Sequence, residues 1–170
     1  MATPTYVKSN LLHMFYADSS TTWAYFGYIQ SNGLSMTNNF TEISSKQHGN
    51  WPDQEVSGST WTMSQSAYVT TDNASKALKM AADAKPITWC FCKVAENDSV
   101  AATGLKPVTG MGDTSVYTIG SAFKKYGNGI LSSASISSDA GSVATVDIEI
   151  QGMGGLMDSA PSPVNYFSVS

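Results

Sequence analysis

The chain has 170 residues, a hydrophobic content of 42% and a net charge of −4, which are the size and composition of one globular domain. A chain of this length can bury a core without disulfide or metal staples. Only 13% of the residues are charged, and all nine basic residues are lysines. A surface that reads nucleic acid needs clustered positive charge and the bidentate guanidinium of arginine, so the composition argues against that class of protein.

The two ends of the chain predict arms on a single domain that covers residues 1–170. Residues 1–9 and 157–170 lack the periodic apolar pattern of the middle, and the second segment carries Pro161 and Pro163. The N-terminal segment shows neither the charged region nor the apolar stretch of a secretion signal. No apolar run approaches the ~18 residues that span a bilayer. We therefore expect a protein that is made in the cytoplasm and has no membrane anchor.

The first part of the chain predicts short strands separated by polar turns. Aromatic and β-branched residues, or alternation of apolar and polar residues, mark each of these segments. They are residues 10–16, 22–29, 34–37, 40–43 and 60–69. In the last of them Trp61 and Met63 begin a row of apolar residues on one face of the strand, with Thr and Ser on the other. That face is expected to be buried.

One amphipathic helix is predicted over residues 72–84. Its apolar residues follow the i, i+3, i+4, i+7 spacing of one helix face. They are Ala74, Ala77, Leu78 and Ala81. Thr71 or Asp72 can cap the start, and Pro86 prevents the helix from continuing. Because most of these residues are small, we expect the helix to lie close against a sheet.

Strand signals resume after the helix. Alternating or β-branched patterns mark residues 87–92, 116–123, 130–137 and 144–151. The last is the cleanest strand, with Val146, Ile148 and Ile150 on one face and acidic residues on the other. The glycine-containing segment 126–129 predicts a turn, residues 96–113 predict a long loop, and the glycines at 152–155 are expected to end the last strand.

A single helix in a chain of strands predicts a mainly β fold, a sandwich or barrel with one flanking α-helix. The residues expected to form its core are those on the periodic apolar faces of the strands and helix. They are Trp61, Met63, Leu78, Trp89, Val146, Ile148 and Ile150.

The sequence offers no catalytic, metal or cofactor site. Neither a Gly-x-Ser-x-Gly nucleophile motif nor a phosphate-binding loop is present. Cys90 and Cys92 lie two apart on one face of a strand, about 7 Å from each other and beyond easy disulfide reach, so we expect two reduced core residues. Asp147 and Glu149 share the wet face of one strand, which is common without catalysis.

The order of short motifs between residues 34 and 64 is the most specific feature of the sequence. A strand that ends in Glu-Ile-Ser-Ser-Lys leads into a Gly-Asn-Trp loop, and a later glycine precedes a strand that begins with Trp61. The residues of this segment are Glu42, Ile43, Ser44, Ser45, Lys46, Gly49, Trp51, Glu55 and Gly58. Together with the helix that follows and the glycine-rich end at 152–155, this order resembles the major tail protein (tail tube protein) family of long-tailed bacteriophages.

That resemblance implies a structural virion protein without catalysis or cofactor. Subunits of the family form hexameric rings, and the rings stack into a hollow tube around a tape-measure protein, with terminator and baseplate proteins at its ends. DNA leaves the capsid through the lumen without specific binding, and an acidic, arginine-free subunit suits such a conduit. The loop over residues 46–58, with Trp51 near its middle, is the expected site of contact between rings.

Three other functions remain open on the sequence. A tube subunit of a phage-derived contractile injection system would share the fold and differ in cargo. A β-sandwich glycan-binding module would use aromatic side chains as stacking platforms, and the chain holds 4 Trp and 8 Tyr. A small hydrolase, the least favoured class, would depend on Asp147 or Glu149.

Overall fold

The computed structural model describes six parts of the chain, which are residues 12–17, 23–26, 28–43, 53–94, 119–159 and 161–164. These parts contain seven strands and one helix. The elements are β1 (Leu12–Ala17), β2 (Trp23–Ala24), β3 (Ile29–Ile43), β4 (Asp53–Tyr68), α1 (Thr71–Asp83), β5 (Ile87–Val94), β6 (Ile119–Ser137) and β7 (Thr145–Met157). The predicted mainly β class with one helix is confirmed.

All seven strands belong to one antiparallel sheet with the order β2-β1-β5-β6-β7-β4-β3. The sheet curls, because its two ends approach each other. The Asn32 side chain on β3 donates a hydrogen bond from Nδ2 to the Leu12 carbonyl on β1 at 2.9 Å. Gln65 Nε2 on β4 likewise donates to the Phe26 carbonyl at 3.1 Å. Of the two predicted architectures, this single curled sheet is closer to the barrel than to the sandwich.

The concave face of the sheet and α1 enclose the main core. The strand residues predicted for the core are all buried there; they are Trp61, Met63, Trp89, Val146, Ile148 and Ile150. The opposite face carries a second, smaller cluster around Phe15, Tyr25 and Tyr126, to which Cys90 and Cys92 also belong. β5 is therefore buried on both faces. The two cysteines are free thiols, as the sequence predicted.

Helix α1 begins one residue earlier than predicted because Thr70, rather than Thr71 or Asp72, is the N-cap. The Thr70 hydroxyl accepts from the Asn73 backbone N–H at 3.2 Å, and the Asn73 side chain accepts from the Thr70 N–H at 2.8 Å. This reciprocal pair is a capping box, which satisfies donors that a helix start leaves open. The helix ends at a left-handed Ala84, with φ 47°.

The prediction of Leu78 as a core residue is wrong, since 46% of its surface is exposed. The buried stripe of α1 consists of Ala74, Ala77 and Met80. Leu78 follows Ala77 by one residue, and a step of about 100° around the helix carries it to the flank of that stripe. The apolar residues of α1 therefore span a wider arc of the helix than the face that packs against the sheet.

Three predicted strand boundaries are wrong because the strands continue through the polar residues or glycines that separate the predicted segments. β3 is one strand where two short ones were expected, and β6 continues through the predicted turn at 126–129. β7 also continues through 152–155 and ends only at Met157. The glycines of β6 and β7 allow the close approach of a side chain, that of Trp61, rather than a reversal of the chain.

The C-terminal arm begins later than predicted, since Met157 closes β7 and the chain beyond it returns to β5. Val164 accepts a hydrogen bond from the Thr88 N–H at 2.8 Å, and its own N–H donates to the Thr88 hydroxyl at 2.8 Å. The predicted N-terminal arm at 1–9 and the predicted loop at 96–113 lie outside the described residues.

Candidate assembly surface

A two-stranded ribbon projects beyond the body of the sheet. β4 pairs with β7 only from Thr62 to Tyr68, whereas its pairing with β3 continues outward to the pair of Ile43 and Asp53. Residues 36–43 of β3 and 53–60 of β4 therefore have each other as their strand partners, and we call this ribbon the arm. Every side chain of the arm is exposed in the subunit.

Side-chain hydrogen bonds hold the two strands of the arm together. The Ser59 hydroxyl donates to Asn38 Oδ1 at 2.7 Å, and the Ser57 hydroxyl donates to the Asn39 carbonyl at 3.1 Å. Ser57 lies at a register shift, because Asn39 pairs with Gly58 while Phe40 pairs with Val56. Such a bulge increases the local twist of a ribbon and makes an exposed edge less suited to uncontrolled pairing.

One face of the arm carries large apolar side chains with no part of the described subunit beneath them. Met36, Phe40 and Val56 are 61%, 59% and 52% exposed. Met36 lies opposite Trp61, and Phe40 lies opposite Val56. By strand alternation, these residues continue the row whose earlier member Leu34 packs against the core. The core-facing row of the hairpin thus runs past the end of the core.

The ionisable side chains among the described residues of the arm all carry negative charge. They are Glu42, Asp53 and Glu55. The arm therefore presents an apolar row edged by carboxylates. An exposed apolar patch of this kind on a soluble protein usually marks a contact with another molecule.

The predicted contact segment lies partly on the arm. Glu42 and Ile43 are the last residues of β3, and Glu55 and Gly58 lie in β4, with Glu55 opposite Thr41. The prediction of a loop over 46–58 is wrong for its second half, since β4 begins at Asp53. The remaining predicted residues lie outside the described parts of the chain; these are Ser44, Ser45, Lys46, Gly49 and Trp51.

Sequence reasoning missed the three most exposed apolar residues of the arm. The signal was present, because Met36 and Phe40 keep the two-residue period of Leu34 across an otherwise polar segment. The same period is produced by a strand that is buried in its own subunit. Only the end of the β4–β7 pairing shows that these side chains are uncovered.

A second surface lies on the convex side of the sheet, opposite α1. Asp147 and Glu149 of β7 are each flanked by a serine on both neighbouring strands, with Ser66 and Ser135 beside the former. We call this surface the hydroxyl face. Together with Ser31, Ser64, Gln65, Ser133 and Ile148, these residues line a shallow depression. The lining contains carboxylates and hydroxyls and no basic side chain.

Metal-binding side chains do not converge in the described parts of the chain. No group of three or more His, Cys, Asp or Glu residues there could hold a metal ion. A hydrogen bond with Cys92 and burial raise the pKa of the Cys90 thiol, and burial raises the pKa of Tyr126 to about 12. Both groups therefore stay protonated near neutral pH. Among the described residues, no helix is long and apolar enough to cross a bilayer.

Comparison with solved structures relates the fold to viral and virus-like tails. No family model and no curated protein matches the sequence. A chain in the tail of an empty gene transfer agent particle, solved with C6 symmetry, aligns with a TM-score of 0.63 at 10% identity, covering 90% of this chain and 98% of that one.

Two further structures agree with that match. A chain of the virion of a native gene transfer agent particle aligns with a TM-score of 0.60 at 11% identity, over 90% of this chain and 98% of that one. The SPP1 tail tube aligns with a TM-score of 0.57 at 15% identity, over 87% of this chain and 76% of that one. The chain therefore has the fold found in these tail structures, as the resemblance in its sequence implied.

Proposed function

We propose that this chain is the major tail protein of a long-tailed phage or phage-like particle, a structural subunit that forms hexameric rings stacked into a tail tube. The observation that carries the proposal is the arm, a ribbon whose apolar row has no cover within the described subunit. An exposed apolar hairpin of this length promotes aggregation of a monomer, whereas a subunit that assembles buries it in a contact. The shared fold with tail structures supports the same assignment.

In the proposed tube the arm is the contact between successive rings. Its occupant is a second copy of the subunit, because every copy carries both the arm and the surface that the arm of the previous ring would meet. A contact that repeats head to tail along an axis generates an open stack, as a tube requires. Glu42 and Ile43, two of the predicted contact residues, lie in the same ribbon as the described apolar residues of the arm.

Within a ring, the sheet edges are available for contacts between neighbours. β3 and β2 occupy the two edges of the sheet in the described structure. Edge strands carry unpaired backbone donors and acceptors, and a closed ring satisfies them by pairing or covering each edge with the next subunit. The number six comes from the family resemblance and agrees with the C6 symmetry of the first matched tail.

We place the hydroxyl face toward the lumen. It carries serine side chains and the carboxylates of Asp147 and Glu149 around a shallow depression, and α1 occupies the other side of the sheet. Carboxylates repel a polyanion and hydroxyls offer it no counter-charge, so DNA passes such a wall without being held. The tape-measure protein fills this lumen before DNA does, and terminator and baseplate proteins close the ends.

The structure bears differently on the three alternative functions. A tube subunit of a contractile injection system has the same ring-and-arm requirements, and its cargo alone separates it from a tail protein. A glycan-binding module needs exposed aromatic platforms; Trp61 and Trp89 are buried, at 3% and 0% exposed, which leaves Tyr28, Phe40 and Tyr68 among the exposed rings. A hydrolase would need Asp147 or Glu149 as a catalytic carboxylate. The cross-strand neighbours of both are serines, and this arrangement by itself does not favour catalysis.

Electron microscopy of the purified protein over a concentration series, beside its native mass, tests the proposal. We expect hexameric rings and, at higher concentration, hollow tubes with a regular axial repeat. A protein that remains monomeric at every concentration, also after addition of a tape-measure protein, would contradict the assignment. In that case binding to a sugar array would favour the glycan-binding module.

A further inference from the structure

Trp61 lies at the position where the arm leaves the body of the subunit. We propose that Trp61 and the three glycines that face its ring set the direction of the arm, so that Trp61 is a positioning residue for ring stacking. The effect of Trp61 on ring stacking rests on the proposed function, whereas its effect on the direction of the arm does not. Trp61 is 3% exposed, whereas every residue of β4 before it is exposed.

The ring of Trp61 lies directly on the backbone of β6 and β7. A Cβ built on Gly152 would lie 2.2 Å from Cε2 of the ring, and one built on Gly127 would lie 2.4 Å from Cζ2. A Cβ on Gly129 would lie 3.1 Å from Cη2. Real Cβ atoms do not approach other atoms within 3.0 Å, so at Gly127 and Gly152 the ring occupies space that only glycine leaves free. At Gly129 the ring is in tight contact, and a Cβ would also lie 2.8 Å from Ile150 Cγ2 and 2.9 Å from the Gln151 carbonyl oxygen. We call Gly127, Gly129 and Gly152 the glycine cradle.

A hydrogen bond fixes the ring within the cradle. Trp61 Nε1 donates to the carbonyl of Gly154 at 2.9 Å. Gly154 has a φ of +77°, a conformation that favours glycine, and it lies just past the last pair between β4 and β7. The Gly154 carbonyl thus meets the indole three residues beyond Gln151, the last residue of β7 that pairs with β4.

The position of Trp61 makes it the last side chain of β4 that is anchored to the body. A free two-stranded ribbon is only marginally stable and bends easily, so its direction depends on its attachment. Eight residues separate Trp61 from the end of the arm at Asp53, which is roughly 25 Å at ~3.3 Å per residue, so a tilt of about 10° displaces the tip by roughly 4 Å. A displacement of that size separates an arm from its contact.

The first test compares two glycine substitutions on the same strand. Gly152→Ala inserts a methyl group into the indole and must displace it, whereas Gly155→Ala adds a methyl group to open space at an unstrained φ. We expect Gly152→Ala to raise the critical concentration for tubes about tenfold or to abolish them, since avidity is lost when geometry forbids simultaneous engagement. Gly155→Ala is expected to assemble as the parent protein does.

A second comparison separates positioning from general stability. Trp61→Phe keeps an aromatic ring and removes the hydrogen bond to Gly154. Phe26→Leu is the matched control, because Phe26 is a core ring that is 1% exposed and follows β2 at the other end of the sheet order. We expect similar losses of thermal stability in both variants, and impaired stacking in Trp61→Phe alone. Equal stacking defects in the two variants would show that Trp61 acts through stability, and would overturn the proposal.

Arm direction can be measured without any tube. Spin labels on Thr41→Cys in the arm and Ser135→Cys in the body are both at exposed sites, while the native cysteines are buried. We expect a single narrow distance distribution in the parent and in Gly155→Ala, and a shifted or broadened one in Gly152→Ala and Trp61→Phe. Unchanged distances in all variants would overturn the proposal. Altered distances in a protein that never forms tubes would support the positioning role and refute the tail function.

Discussion

Cys90 and Cys92 are chemically silent in the folded protein because both thiols are buried. A hydrogen bond with Cys92 and desolvation raise the pKa of Cys90, and the thiolate is the reactive form. We expect no alkylation by iodoacetamide at pH 8 in the native protein, and two modifications after unfolding in guanidinium chloride, measured by intact mass. Val143→Cys, at an exposed position, is the control that must react. Rapid alkylation of the native parent would contradict the burial of the two thiols.

Trp51 tests the predicted contact between rings at the level of one side chain. Trp51→Ala is expected to leave the fold and the hexamer intact and to impair stacking, because a large aromatic residue at an interface centre carries a disproportionate share of the binding energy. Circular dichroism, native mass and microscopy measure the three properties separately. Trp61→Ala is the contrasting variant, since the loss of a buried Trp costs about 3–5 kcal/mol of folding stability. Normal tubes from Trp51→Ala would defeat the prediction.

At the scale of elements, the arm is a strand pair whose apolar side chains have cross-strand neighbours and remain mostly exposed in the described structure. The double variant Phe40→Ser, Val56→Ser should therefore change the free energy of unfolding of the subunit by no more than about 0.5 kcal/mol, as is usual for surface positions. The same variant should abolish tubes, because the uncovered apolar area is the proposed contact. Thermal denaturation and microscopy give the two readouts.

Val143→Ser is the matched control for that double variant. Val143 is 68% exposed and lies in the connection between β6 and β7, away from the arm. We expect this substitution to leave both stability and tube formation unchanged. If removal of Val143 disturbed assembly as much as the arm variant did, general surface hydrophobicity rather than the arm would drive association.

The elements that sequence patterning predicted well are those whose surroundings lie within the subunit. The two-residue period of β7 places Val146, Ile148 and Ile150 in the core, and the helix was found within one residue of its true bounds. Burial on one face leaves a clear periodic trace, so local pattern and tertiary position agree there. The mainly β class followed from the same strands.

The glycines and the arm could not be assigned from the sequence, for a physical reason in each case. A glycine within a strand indicates either a turn or a close approach, and only the position of the Trp61 ring decides between them at Gly127 and Gly152. An alternating apolar row likewise indicates burial, but it does not show whether the row packs against the core of its own chain or against another molecule. Phe40 and Val56 keep the pattern of core residues in a ribbon that the core does not reach.

At the scale of the whole molecule, the curled sheet places three kinds of surface in three different regions. Its concave side and α1 enclose the core, its convex hydroxyl face is polar and acidic, and the arm extends past both. The proposed tube needs these properties in different directions, with cohesion inside each subunit, contact along the axis and a non-adhesive inner wall. In that proposal one sheet provides all three because its strands differ in length, and β3 and β4 run beyond β7 beside them.

The proposed tube should resist high salt, and this follows from the charges of the assembled molecule. Each subunit carries a net charge of −4, and the described charged residues of the arm are all acidic. Interfaces built on ion pairs weaken as the Debye length falls to about 3 Å at molar ionic strength. Here the same screening reduces repulsion between like-charged subunits, while burial of Met36, Phe40 and Val56 depends little on salt. Sodium sulfate should even favour tubes, since excluded salts strengthen apolar burial. Sedimentation of tubes between low and molar salt gives the measurement, and dissolution at molar salt would show that ion pairs, rather than the apolar row, hold the rings together.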